Sequence, residues 1–228
     1  MKRAFMCICL SFFMLSGLQA QDVSLALQKK PVLNPGVELA QWNSMKNNVQ
    51  VSFANSNTRY ARDIFPAINQ QNNFTLTAWK GEKIHTQIIV WGKMGIASVR
   101  VSASDLKDGK GHIIPKKNVS AGFVGYVMTD EFKDGCGYRK PENFDSSIVA
   151  DPINTTALSV AFKKNTVQPV WVSINVPANM EAGNYTGIIM VNADKIYKLK
   201  LSVKVLNKTL PPPSQWKFNL DFWQHPAA

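Results

Sequence analysis

Val170-Trp-Val-Ser-Ile-Asn-Val176, the turn-rich stretch from Pro177 to Asn184, Tyr185-Thr-Gly-Ile-Ile-Met-Val191 and the segment from Lys195 to Val205 decide the fold of this 228-residue chain. In the last segment Tyr197, Leu199, Leu201, Val203 and Val205 alternate with Lys198, Lys200, Ser202 and Lys204. A period of two sets one face of a strand on a core and the other in water. Glu181-Ala-Gly-Asn184 and Asn192-Ala-Asp-Lys195 supply the Gly, Asn and Asp that tight turns need, since these residues tolerate positive φ or bond their own backbone. The region reads as three successive strands of an antiparallel meander.

The same signals extend toward the N-terminus. Val49 to Phe53 alternates and ends in Asn55-Ser-Asn57, and Phe74 to Trp79 is closed by Lys80-Gly81. Ile84 to Trp91 is largely apolar on both faces, which predicts a strand inside a sheet. Val99 to Ala103, Phe123 to Met128 and Ala157 to Phe162 complete a set of about nine short strands, with turn signals between them. The turn signal Lys107 to Gly111 follows Val99 to Ala103, and the pattern fades into a long loop from Thr129 to Pro152. Before Val49 the pattern is irregular, with room for a short helix around Pro35 to Trp42. The fold class is therefore all-β, an antiparallel β-sandwich.

Both termini read differently. Lys2-Arg3, the apolar run Ala4 to Leu15 and Leu18-Gln-Ala20 have the layout of a secretory signal peptide over residues 1–20, and the run is too short to span a bilayer. Export to the periplasm or beyond is expected. Cys7 and Cys9 would leave with that segment, so Cys136 would remain unpaired. At the other end, Asn207-Lys-Thr-Leu-Pro-Pro-Pro-Ser214 is a stiff extended linker, and Trp216 to Trp223 alternates again as the start of another strand. The expected division is a signal peptide at 1–20, a sandwich at 21–210 and, at 211–228, a linker with the start of a further domain.

The chain has 26 Lys and Arg against 15 Asp and Glu. Lys29-Lys30, Lys116-Lys117 and Lys163-Lys164 are isolated pairs, without the stripe that tracks a phosphate backbone. Nucleic acid is not an expected partner, nor is stable membrane insertion; attraction to acidic glycans or membrane surfaces stays open.

Trp79-Lys-Gly-Glu82 with Gln87, the segment Pro177 to Gly187 with its Ala-Gly-Asn-Tyr-Thr-Gly turn, and Leu210-Pro through Trp216-Lys-Phe-Asn-Leu-Asp-Phe-Trp-Gln224 together resemble the N-terminal portion of glycoside hydrolase family 123. The resemblance implies a β-sandwich ahead of a (β/α)8 barrel that removes terminal N-acetyl-β-galactosamine, with Trp216 to Trp223 as the barrel's first strand. Such a barrel needs about 250 residues, so the expected chain is a fragment whose partner is the catalytic barrel of the same polypeptide.

Candidate chemistry is sparse. Asp130-Glu131 is the kind of adjacent pair that the family's substrate-assisted mechanism uses, but that pair belongs to the barrel, and neighbours in an extended segment point to opposite faces. His85, His112 and His225 are isolated, without metal-ligand spacing. Cys136 has no neighbouring His, which favours an incidental thiol. Asn73, Asn118, Asn154, Asn184 and Asn207 head Asn-x-Ser/Thr triplets, which matter only in a eukaryotic secretory pathway. Trp42, Trp79, Trp91 and Trp171 are core candidates by alternation, and a sugar-stacking platform needs one of them exposed. No catalytic, cofactor-binding or metal-binding residue is assigned. The function expected is a non-catalytic accessory domain of a glycan-degrading enzyme; the alternative is a free-standing exported glycan-binding or adhesive sandwich.

Overall fold

The computed structural model describes residues 35–129 and 147–217. Among the described residues twelve strands form two facing sheets, accompanied by one α-helix and two short 3-10 turns. The strands are β1 Val49–Ala54, β2 Asn73–Lys80, β3 Lys83–Gly92, β4 Ile96–Ala103, β5 Leu106–Lys107, β6 Ile113–Ile114, β7 Val119–Thr129, β8 Ser147–Asn154, β9 Val160–Phe162, β10 Thr166–Asn175, β11 Gly183–Asn192 and β12 Ile196–Thr209. A five-stranded sheet has the order β1-β3-β10-β7-β8, and a seven-stranded sheet has β2-β12-β11-β4-β9 with the β5-β6 hairpin attached through β11. The strands expected from sequence between Val49 and Val205 are all present; β5, β6 and β8 are additional.

The decisive stretch divides between the sheets. β11 and β12 form the expected hairpin, with Tyr185 opposite Val203 and Ile189 opposite Leu199. β10 lies in the other sheet between β3 and β7. The expected meander is thus a sheet-to-sheet crossing followed by a hairpin, and the Pro177 to Ala182 connection makes the crossing. One pair also departs from the antiparallel expectation: β2 runs parallel to β12. No short turn joins these two strands, so nothing forces the antiparallel direction that a hairpin would impose.

The core fills the space between the sheets. Phe53, Ile88, Val170 and Val172 face Ile189, Leu199, Leu201 and Val203, all buried. The apolar second face of β3 also has a partner. The helix α1, Pro35–Asn43, and residues 55–72 lie over the outer face of the five-stranded sheet and enclose Trp42, Met45, Tyr60, Ile89, Trp91 and Val167. Trp42 meets Phe65 edge to face at 5.1 Å and 77°. The same wrap covers the exposed edge of β1, because the Phe53 amide donates to Gln71 O (3.0 Å) and the Gln71 amide donates to Ser52 Oγ (2.8 Å). An edge covered in this way cannot recruit another strand.

The end of the expected Thr129 to Pro152 loop, from Ser147 on, belongs to strand β8, which pairs with β7 at the edge of its sheet. Asp151 and Pro152 break the apolar pattern there, and an edge strand tolerates a proline because one of its sides needs no donors. Among the described residues no helix is long and apolar enough to cross a membrane.

Candidate functional site

One end of the sandwich is built by three segments far apart in sequence. The turn Trp79-Lys-Gly-Glu82 joins β2 to β3 with Gly81 at φ +81°, a left-handed conformation that glycine adopts without steric cost. Glu82 folds back on it: the Trp79 amide donates to Glu82 Oε2 at 2.7 Å and the Glu82 amide to Trp79 O at 3.3 Å. The end of β10 joins this turn where the Val176 amide donates to Glu82 O (2.8 Å), and the end of β12 where the Leu210 amide donates to Lys80 O (2.8 Å). A Cβ placed on Gly81 would have Ala178 Cβ at 3.5 Å and Leu210 Cβ at 3.9 Å. Residues 79–82, 176–180 and 210 therefore pack as one surface.

The chain leaves the sandwich through this surface. Pro211, Pro212 and Pro213 are exposed, and the Trp216 indole turns back so that Nε1 donates to Pro211 O at 2.7 Å. Trp79 is 41% and Trp216 44% exposed. Alternation along β2 makes Trp79 a core candidate, but the parity is the opposite one: Ala78 is buried at 1% and Trp79 points out. Trp42 and Trp91 are buried as expected, and Trp171 is half-buried. Large exposed aromatics beside a proline run form an apolar surface of the kind that marks a docking site.

The other residues of the sequence resemblance hold this arrangement. Buried Gln87 donates from Nε2 to Asn55 O and Thr58 O, both at 3.0 Å, and pins the wrap over the outer face. Tyr185, fully buried, donates from its hydroxyl to Glu181 O at 2.8 Å, a tyrosine corner that fixes the crossing before β11. Burial, with Asp108 and Glu181 nearby, raises the Tyr185 phenol above its ordinary pKa.

The two described histidines fall in two places. His85 and Ser173 are direct cross-strand partners, and His85 Nδ1 lies 3.1 Å from Ser173 Oγ while accepting the Trp171 Nε1 proton at 3.3 Å. The rings stand 5.4 Å apart, tilted 36°. An accepting Nδ1 places the ring proton on Nε2. Partial burial, then the nearby Lys83, lowers the His85 pKa, consistent with a neutral ring. Ser173 is buried and, among the described residues, no carboxylate bonds the imidazole, so the pair lacks the orienting acid of a nucleophilic triad. His112 instead closes the β5-β6 turn: its Nδ1 is 2.7 Å from Asp108 Oδ2, and Asp108 Oδ1 accepts the Lys110 and His112 amides, both at 2.8 Å. Desolvation works against the Asp108 carboxylate, but these bonds from His112 and Lys110 prevail and hold its pKa below the ordinary value. Neither arrangement is visible in sequence, since cross-strand register and turn closure decide both.

Among the described residues no group of three or more His, Cys, Asp or Glu could hold a metal. Asp130, Glu131, Cys136, His225 and the Phe218 to Trp223 part of the last expected strand lie outside the described residues.

The fold and this end define a two-sheet β-sandwich module with an aromatic surface where its chain exits. Residues 53–193 match the glycoside hydrolase 123 N-terminal domain, and the chain belongs to that family. Among solved structures, it is similar to a family 123 glycoside hydrolase from Clostridium perfringens, whose description concerns glycolipid glycan hydrolysis, with a TM-score of 0.64 and 23% identity. That similarity covers 73% of this chain and 29% of the Clostridium chain, and it shows the fold. A PapD-like domain of human CEP192 (TM-score 0.34, 10% identity, 72% of this chain and 91% of that one) is a more distant likeness. So is the N-terminal domain of PorA (TM-score 0.33, 9% identity, 70% and 99%). Among curated proteins none matches the chain.

Proposed function

We propose that this sandwich is a non-catalytic accessory domain that packs against and positions a glycan-cleaving catalytic domain of the same polypeptide. The observation that carries the reading is the convergence of the 79–82 turn, the 176–180 crossing and the exit at Leu210 on one end that exposes Trp79 and Trp216. A self-contained binding module has no need to present aromatics at the point where its chain departs. In this reading residues 21–210 are the accessory domain, residues 211–228 lead into the catalytic domain, and residues 1–20 direct export. The catalytic domain is a (β/α)8 barrel that removes terminal N-acetyl-β-galactosamine, as the resemblance implies.

Two observations test it. The reading frame downstream of Ala228 should continue for about 250 residues, the length of a barrel. This chain alone should release no aryl alcohol from an aryl N-acetyl-β-galactosaminide. Turnover by the chain alone that Glu131→Gln abolishes would overturn the accessory role.

A further inference from the structure

The two sheets differ in charge. The strands of the five-stranded sheet contain one cation and one anion, Lys83 and Asp151. Those of the seven-stranded sheet contain no Asp or Glu at all. Five of their seven cations gather on the outer face. Lys200 lies opposite Ile188, Lys198 opposite Met190 and Lys204 opposite Asn184, while Lys107 sits across from Thr186 and Arg100 across from Asn192. All five basic side chains are exposed, and the salt bridges among the described residues involve none of them. In sequence the basic excess looks scattered; the pairing of β4, β5, β11 and β12 collects it.

Spacing lets these charges act together. Two residues along a strand span about 7 Å, less than the Debye length of about 10 Å at 0.1 M salt. The surface between the cations bears hydroxyls, from Thr75, Thr77, Thr186 and Ser202. It is also notched. β11 pairs with β4 along 189–192 but with β5 at Thr186, and a shallow groove opens at that change of partner between Lys107 and Lys200, with Ser104, Asp105 and Ile188 in its lining. Gly187 lets the 104–106 segment approach β11 this closely, because a Cβ there would meet Asp105 O at 2.7 Å.

We infer that this face binds an acidic polysaccharide, one that bears carboxylate or sulfate groups along its chain. Lysines and Arg100 meet the anionic groups, while Thr186 and Ser202 meet ring hydroxyls. A nucleic acid fits less well: a duplex needs an element that enters a groove, and a single strand needs stacking aromatics among the cations. A bilayer needs large apolar side chains that reach past the charges, whereas Ile188 and Met190 are half-buried between the lysines, and the exposed Ile196 and Trp79 stand only at the two ends of the face. The inference concerns a face distinct from the exit end and holds whatever domain follows.

Binding of the full chain to dextran sulfate, with neutral dextran, single-stranded DNA and phosphatidylserine vesicles as competitors, tests it. Dextran sulfate should bind with an affinity that falls as salt rises, and none of the three competitors should displace it at equal mass. Joint Lys198→Ser, Lys200→Ser and Lys204→Ser substitution should weaken binding about a hundredfold, at roughly fivefold per lysine, with an unchanged melting temperature. Joint replacement of the same lysines by Arg should retain binding, which keeps the test decisive if the Ser variant folds poorly. Unchanged affinity in the folded Ser variant, or displacement by DNA or vesicles, would overturn the inference.

Discussion

Thr86 stands in β3 with its side chain on the core face, between Ile84 and Ile88, and its Oγ1 is buried without a hydrogen-bond partner among the described residues. A hydroxyl in that position has lost water and gained nothing, a cost of about 1–3 kcal/mol. Thr86→Val keeps the shape and removes the orphan group, so chemical denaturation should show a gain of about 1 kcal/mol. A loss would mean that the hydroxyl has a partner after all. Its neighbour Gln87 is the contrasting case, a buried amide with two carbonyls to serve. Period two in the sequence separates the Ile84, Thr86, Ile88, Val90 face from the other. What alternation does not encode is which polar residue on a face meets a partner, because that depends on a strand or loop distant in sequence.

At the level of elements, β10 shows why the strand count is legible and the pairing less so. Pro169 interrupts an interior strand, where a missing N–H removes a ladder bond. The pairing of β10 with β7 runs only from Val170 to Ile174. Just beyond, Gln168 Nε2 donates to Val124 O (2.9 Å) and Pro169 O (2.8 Å), so a side chain replaces the lost backbone donor. β7 shifts register against β8 between Val124 and Tyr126 at the same level. Gln168→Leu removes that substitute and should destabilise the domain by about 1–3 kcal/mol. Hydrogen exchange should accelerate first in β7 and β8; unchanged stability would show that water serves Val124 O equally well. The crossing between β10 and β11 was hidden for a related reason, since Pro177 to Ala182 has turn chemistry compatible with either a hairpin or a change of sheet. β8 was hidden by Asp151 and Pro152, which only an edge position accommodates.

On the scale of the molecule, a sandwich places its inner faces in the core and leaves two outer faces and two ends to interact. Here one outer face is partly covered by α1 and residues 55–72, and the other is cationic. The exit end carries Trp79 and Trp216. The class of fold was readable because strand period and turn residues recur along the chain. The cationic face and the assembled end were not, because both arise from residues brought together by sheet order. The segments that carry the family resemblance gain a common physical explanation from that order: Trp79 to Glu82, Pro177 to Gly187 and Leu210 to Trp216 converge at or lead into one end.

That end is where the accessory reading stands or fails. Hydrogen exchange measured on this chain alone, and again in a polypeptide that joins it to the proposed catalytic domain, compares the same amides with and without that partner. The account predicts slower exchange in the longer protein at residues 79–82, 176–181 and 210–216, with the outer face of β11 and β12 unaffected. Equal exchange at those residues in both proteins, or protection confined to another face, would contradict it.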